Sequence, residues 1–491
     1  MSIYRPHSVK FNFVMNFILK ISGALCSAIS YPFASRMLGA EGMGKVAFAV
    51  SVTGFFSMIA TQGIPTYGIR ECARVKDDTA LLTKSVHELF VIQCLLAGLS
   101  TVLFALSVLL VPRFCEEWRL FLIQGVALMI NMIGIEWMFA GLEQYSYLTI
   151  SSVGAKMISV LLIILMIHSP DDYLLYAGLL ILAGVLTSVL NIIVSRRFVG
   201  WRPNPSVYEL KKHFKPIAIF IAQTAAITIY TSLDSAMLGF ISGDYWAGIY
   251  DSAIKVKLLL SYFVTSLGTV LLPRLSHYAY TEQKREFNRN IRNALEFTLV
   301  TALPLSVFFL IMAPECVSVL FGQQFLPAAG ILQVLMPTIV LIGLSTITGT
   351  LILMPTGREH LAMYSYISGA VVDFVLNLLL IPRFNALGAA LGTLAAEITV
   401  FAIQALFLRD ILPGLILKTH VRSIVVAVIF PGLILFFFRQ LAVIPELLRV
   451  LMGVTIYFAA VFGFLVHAGE PLAESFYQQL KRFCRRILSE R

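Results

Sequence analysis

Charge is what this sequence has little of. Asp, Glu, Lys and Arg make up 13% of its 491 residues, where a soluble domain carries roughly 25%. Length alone would allow two or three soluble domains, and the scarcity of charge excludes them. Cysteine is sparse as well. The six thiols (Cys26, Cys72, Cys94, Cys115, Cys316, Cys484) show neither metal-ligand spacing nor a disulfide framework. Catalytic signatures are missing too. No Asp-x-Asp offers a seat for a metal-bound nucleotide sugar, and no His is followed by Asp five residues on, as a common acyltransferase motif needs. None of the eight His has a His or Cys at metal-ligand spacing. No Gly-rich loop ends in Gly-Lys-Ser/Thr, so this chain does not use ATP; no cofactor and no metal are expected. The first apolar run is too long for a cleavable signal and reads as a retained span.

What is present in quantity is hydrocarbon. Apolar residues make up 58% of the chain and mean hydropathy is +0.85. They fall in runs of about 20, the length that crosses about 30 Å of hydrocarbon at 1.5 Å per residue. The alternating ten-residue segments of a transmembrane β-barrel do not occur. The chain therefore reads as an all-α polytopic membrane protein. About fourteen spans are expected, near 11–35, 46–68, 86–111, 119–140, 147–167, 174–194, 216–239, 247–272, 294–313, 328–353, 362–381, 386–408, 423–440 and 446–467.

Two stretches say nearly the same thing. Ser35-Arg36-Met37-Leu38-Gly39 returns 200 residues later as Ser235-Ala236-Met237-Leu238-Gly239. A second echo, Gly141-Leu142-Glu143 and Gly357-Arg358-Glu359, follows in the same order at an offset of 216. Self-similarity at a long offset marks a two-half architecture. With six spans in each half, both halves enter the membrane from the same side, so the repeat is parallel. The expected organisation is an N-terminal six-helix lobe (1–195), a cytoplasmic linker (196–215) and a C-terminal six-helix lobe (216–409). Two appended helices (410–468) and a cytoplasmic amphipathic tail (469–491) follow.

Lys and Arg set the orientation. With the N-terminus inside, inner loops hold 26 of the 37 and outer loops hold 7. Both termini are then cytoplasmic, and the net charge of +10 is explained by topology and headgroup contact rather than by nucleic acid. The run Lys211-Lys212-His213-Phe214-Lys215 is read in this way. Trp118, Trp137 and Trp246 at span ends read as an interfacial belt. Cys115 and Cys316 fall in outer loops, which leaves a disulfide between them open. The longest loops, 195–215 and 273–293, have about twenty residues each and hide no soluble domain.

A charge at membrane depth costs at least ~2.5–3.5 kcal/mol and so faces a partner or water. The candidates are Lys20, Glu136, Lys156, Asp234, Asp251, Lys255, Lys257, Asp373 and Glu397. Asp251 and Lys255 are one turn apart and can pair, structurally or in service of a ligand. Asp234 is placed to meet Lys255, and Lys257 either snorkels or faces another helix. Lys20 and Lys156 lie near the middle of spans one and five with no acidic neighbour in sequence, which suits an anionic ligand. Asp373 and Glu397 read as a cation or proton relay, or as buried partners of those lysines. Pro32, Pro65, Pro304 and Pro337, with Gly23 and Gly54, supply bends inside spans.

Three blocks in order carry a resemblance across nearly the whole chain. Arg36-Met37-Leu38-Gly39 with Gly42 and Gly44, then Tyr67-Gly68-Ile69-Arg70, make the first. Asp234 with Met237-Leu238-Gly239, Gly248-Ile249-Tyr250, Ala253-Ile254-Lys255 and Pro273-Arg274-Leu275-Ser276 make the second. Asn377-Leu378-Leu379-Leu380-Ile381-Pro382, Gly388-Ala389-Ala390 and Thr393 make the third. Together they resemble polysaccharide-biosynthesis flippases of the Wzx type, in the multidrug/oligosaccharidyl-lipid/polysaccharide exporter superfamily. The resemblance implies two six-helix lobes around a cavity that opens to one side at a time. It implies a polyprenyl-diphosphate-linked oligosaccharide as substrate, moved between leaflets of the cytoplasmic membrane. A polysaccharide polymerase and a chain-length regulator are the protein partners it suggests. Lys20, Arg36, Lys156 and Lys255 become head-group candidates, oriented by Asp234 and Asp251; Arg36, Asp234 and Lys255 lie on the family's motif positions. Asp373 and Glu397 become candidates for ion coupling. A drug–cation antiporter and a peptidoglycan-precursor flippase share that fold and stay open as readings. So does a membrane-embedded polymerase or acyltransferase, from a different class.

Overall fold

A computed structural model describes residues 9–61, 63–202, 208–416, 419–441 and 444–489. Both chain ends, on which the orientation partly rests, lie outside these residues, as does the Cys484 side chain. Among the described residues the regular structure is helical throughout. In order the helices are α1 (Val9–Thr61), α2 (Gly63–Val75), α3 (Thr79–Leu110), α4 (Pro112–Glu116), α5 (Trp118–Ile133), α6 (Glu136–Gly141), α7 (Tyr145–Met166), α8 (Tyr173–Ser195) and α9 (Lys211–Ile241). There follow α10 (Asp244–Tyr280), α11 (Lys284–Phe321), α12 (Ala328–Ser345), α13 (Glu359–Phe384), α14 (Ala386–Phe407), α15 (Leu412–Ile416), α16 (Val421–Arg439), α17 (Glu446–His467) and α18 (Pro471–Ser489).

Eleven helices among the described residues are long and apolar enough to cross a membrane, and Trp118–Ile130 and Ser232–Ile241 are shorter apolar helices. That is compatible with fourteen spans, because α1 holds two. At about 1.5 Å per residue its length is more than twice the hydrocarbon thickness, and Gly39 breaks it at φ 72°, ψ 177°. The left-handed region is open to glycine without the steric cost of a Cβ.

Several elements differ from expectation for identifiable reasons. Pro65, expected to bend span two, sits in the first turn of α2, where a missing N–H costs no helical bond. Asp78 accepts from the N–H groups of Ala80 and Leu81 at 2.9 and 3.0 Å, so α3 starts earlier than its apolar run. The stretch 273–293 is not a loop. α10 and α11, of 37 and 38 residues, carry helix through nearly all of it. After α12 the chain winds as a π-helix over Thr346–Leu353. Trp137 is not part of a belt: it is buried, and its Nε1 donates to Gln93 Oε1 at 2.9 Å. Cys115 and Cys316 carry free thiols, the first exposed and the second buried.

The chain divides into two compact units, Met1–Gly248 and Ile249–Arg491. In the first, Ile64, Leu82, Leu89, Trp137, Met138 and Phe139 pack α2, α3 and α6 into one apolar cluster. In the second, Phe308 and Met312 of α11 meet Val428 and Leu435 of α16 and Tyr457 and Val461 of α17. Glu315 fastens that packing at one end, accepting from Arg439 Nε at 2.8 Å with Arg449 at 3.7 Å. The faces left over are apolar: on α3 alone Leu95, Leu99, Val102, Leu103 and Leu106 are exposed, which suits lipid and not water.

The motif repeat has a structural register one turn away from its sequence register. Gly39 pairs with Gly239 in sequence, yet the glycine in the left-handed region of the second copy is Gly243, at φ 85°. Gly239 instead makes room for a ring: a Cβ there would lie 2.1 Å from Phe48 Cδ2.

Candidate functional site

In the first unit, α1 and α7 run together, with Thr149 Oγ1 donating to the Met15 carbonyl at 2.8 Å. One turn and three residues further along α7, Lys156 is half-buried, and its Nζ donates to Ser22 Oγ on α1 at 3.2 Å. Ser22 donates in turn to the Leu19 carbonyl at 2.7 Å. Lys156 has no acidic neighbour along the chain, but it has one in space: it interacts electrostatically with Glu136, exposed at the start of α6. Lys20 and Arg36 are exposed on α1, and Asp234 is buried on α9.

In the second unit, Asp251 and Lys255 pair one turn apart on α10 at 3.4 Å. Asp251 is buried, and Lys255 is half-exposed. Lys257 does not snorkel; it is buried. Asp373 and Asn377 are buried one turn apart on α13, and Thr393 and Glu397 are buried one turn apart on α14. The two helices approach closely here because Gly392 has no side chain. A Cβ on it would lie 2.4 Å from Asn377 Oδ1 and 3.2 Å from Asp373 Oδ1. The Tyr250 hydroxyl of α10 meets Thr393 Oγ1 at 3.0 Å. This seam gathers two carboxylates, an amide and two hydroxyls out of contact with solvent. Burying polar groups in that number is costly unless they satisfy one another or hold a ligand.

Sequence reasoning missed two polar clusters. Glu88 and His213 are both fully buried, with His213 Nε2 2.8 Å from Glu88 Oε2 and Nδ1 2.8 Å from the Tyr67 hydroxyl. Lys212 reaches Glu88 at 2.9 Å, and the Glu209 N–H donates to it at 2.7 Å. Part of the run 211–215 therefore turns inward, which corrects its reading as a headgroup-facing stretch. The signal was there in a single imidazole among lysines. The second cluster is Gln404, which accepts from Thr348 Oγ1 at 2.6 Å and donates to Ser365 Oγ at 2.9 Å. Thr348 belongs to the π-helical segment, a geometry often found at functional sites, and no sequence signal marks it.

Comparison with known proteins decides the family. The model of the family described as polysaccharide biosynthesis protein matches residues 9–279, more than half of the chain. The chain belongs to that family. A Shigella dysenteriae protein named as an O-antigen transporter is 22% identical over 400 residues, 80% of this chain and 98% of that one. Among solved structures, the lipid II flippase MurJ in an inward closed conformation is 14% identical with a TM-score of 0.67, covering 93% of this chain and 99% of that one. An inward-facing multidrug resistance MATE family transporter of the MOP superfamily is also 14% identical, with a TM-score of 0.62, over 80% of this chain and 95% of that one. These likenesses show that this member of the polysaccharide biosynthesis protein family shares the fold of those two solved structures.

Proposed function

We propose that the chain is a flippase that moves a polyprenyl-diphosphate-linked oligosaccharide from the inner to the outer leaflet of the cytoplasmic membrane by alternating access. The cargo class is a capsule, O-antigen or exopolysaccharide repeat unit, and both termini are cytoplasmic. Family membership and the match to an O-antigen transporter, over 80% of this chain and 98% of that one, support the substrate class. The observation that carries the reading is Lys156, a half-buried ammonium at mid-helix whose one hydrogen bond among the described residues goes to a hydroxyl, with the exposed Glu136 as its electrostatic neighbour. An ammonium has three donors, so this one retains capacity for a diphosphate oxygen. Lys20, Arg36 and Lys255 add positive charge for the same head group, with Asp234 and Asp251 orienting it. The polyprenyl tail stays among lipids, and ion coupling belongs to Asp373 and Glu397. A polysaccharide polymerase and a chain-length regulator would take over the product.

A second reading, a drug–cation antiporter, is favoured by one observation: the buried carboxylates of the Asp373–Glu397 seam, which would attract a cation. Reconstituted protein separates the two. Proteoliposomes are expected to move a polyprenyl-diphosphate oligosaccharide between leaflets. No movement of that lipid, with export of organic cations against an ion gradient, would sink the flippase reading.

A further inference from the structure

The span expected near 119–140 is broken, and the break presents a carboxylate that the proposed function leaves unused. α5 ends at Ile133, Gly134 is extended at φ −71°, ψ 106°, and α6 restarts at Glu136. A break within a span frees backbone groups that lipid cannot satisfy, so it occurs where the backbone is buried in protein or lines a water-filled cavity. Gln93 of α3 takes up part of that demand. Its amide nitrogen donates to the Gly134 carbonyl at 2.6 Å, and its amide oxygen accepts from Trp137 Nε1 at 2.9 Å.

α6 is clamped from α2 as well. A Cβ on Gly68 would lie 2.6 Å from Trp137 Cε3, and one on Gly141 would lie 2.7 Å from Cys72 Cβ. Bare backbone at both glycines lets the two helices close on each other, which gives the motif residue Gly68 its physical reason. Trp137, Met138 and Phe139 are buried in consequence, and Glu136 before them is exposed. A carboxylate within a span faces a partner or water. Lys156 is the electrostatic neighbour of Glu136, which makes no hydrogen bond among the described residues. The ammonium's own hydrogen bond goes to Ser22.

The two groups offer opposite halves of one recognition problem. An ammonium only donates, and an ionised carboxylate only accepts. An ionised diphosphate also only accepts, so it suits Lys156 and is repelled by Glu136. Sugar hydroxyls donate, so they suit Glu136. In a glycosyl diphosphate the sugar is joined directly to phosphate, and one ligand brings both kinds of group to neighbouring positions. We propose that Glu136 is a specificity-determining residue that accepts hydrogen bonds from hydroxyls of the sugar nearest the diphosphate. It distinguishes a sugar-bearing polyprenyl diphosphate from a bare one. The proposal rests on the head-group role given to Lys156 above.

The test measures binding of two probes to the full chain in lipid nanodiscs: a polyprenyl diphosphate bearing an oligosaccharide, and the same polyprenyl diphosphate bare. The parent should bind the sugar-bearing lipid more tightly. A hydrogen bond to a charged group corresponds to about ten- to a hundredfold in affinity. Glu136→Ala should lose that much for the sugar-bearing lipid and nothing for the bare one, whose binding also reports that the variant is folded. Glu136→Gln, which keeps one acceptor oxygen and loses the charge, should fall between. Lys156→Ala should weaken both lipids alike. Equal loss of both lipids in folded Glu136→Ala and Glu136→Gln would make Glu136 a support for Lys156 and overturn the proposal. Full affinity for both lipids in those variants would overturn it too, as would a parent that binds the two lipids equally. A parent that binds neither lipid would sink the head-group reading of Lys156, and this proposal with it.

Discussion

Lys156 and Glu88 are both charged, both on helices of the first unit, and held in opposite ways. Glu88 is fully buried and its oxygens are engaged by His213, Lys212 and the Glu209 N–H, with Lys84 at 3.9 Å. Lys156 is half-buried and, among the described residues, makes one hydrogen bond, the 3.2 Å contact to Ser22. A fully buried charge with both oxygens engaged holds the fold together, because any ligand would have to displace a neighbour. An under-used ammonium has donors to spare. The comparison separates charge that builds the protein from charge that the proposed function assigns to the head group.

Breaking the built charge should have the largest effect. Glu88→Ala strands His213 and Lys212 and is expected to cost about 3–5 kcal/mol, read as a large drop in thermal stability in detergent. An unchanged melting temperature would collapse the distinction with Lys156. Next comes the seam in the second unit. Asp373→Asn removes a buried carboxylate from the proposed coupling site, where coupling free energies of about 1–3 kcal/mol are typical. Transport under an ion gradient should fall about five- to a hundredfold, with transport in the absence of a gradient less affected; equal loss in both conditions would make Asp373 a packing residue. The smallest effect is expected at the visible ion pair. Asp251→Asn breaks a partly exposed contact to Lys255 worth about 0.2–1 kcal/mol, so stability should hardly move.

Helix-forming apolar runs were readable from sequence because hydrocarbon thickness fixes their length and composition. The Asp251–Lys255 pair was readable too, since one helical turn fixes which residues share a face. What escaped depends on three-dimensional neighbours. Glu136 approaches Lys156 only once α6 and α7 fold back; Trp137 looks like an interfacial residue until Gln93 is seen beside it. His213 lies in a basic run whose charge pattern masks an inward-turned imidazole. The register of the repeat slipped for a similar reason. Sequence identity aligned Gly39 with Gly239, while backbone conformation aligns it with Gly243. Helix breaks follow φ, and a sequence echo does not report φ.

The most direct test of the account is leaflet-to-leaflet movement of a polyprenyl-diphosphate oligosaccharide in proteoliposomes bearing Lys156→Ala or Lys156→Arg. A hydrogen bond to a charged group is worth about 1.5–3 kcal/mol. The account predicts a loss of about ten- to a hundredfold for Lys156→Ala, with most activity kept by Lys156→Arg and both proteins as stable as the parent. Movement at the parental rate with alanine at position 156 would contradict it.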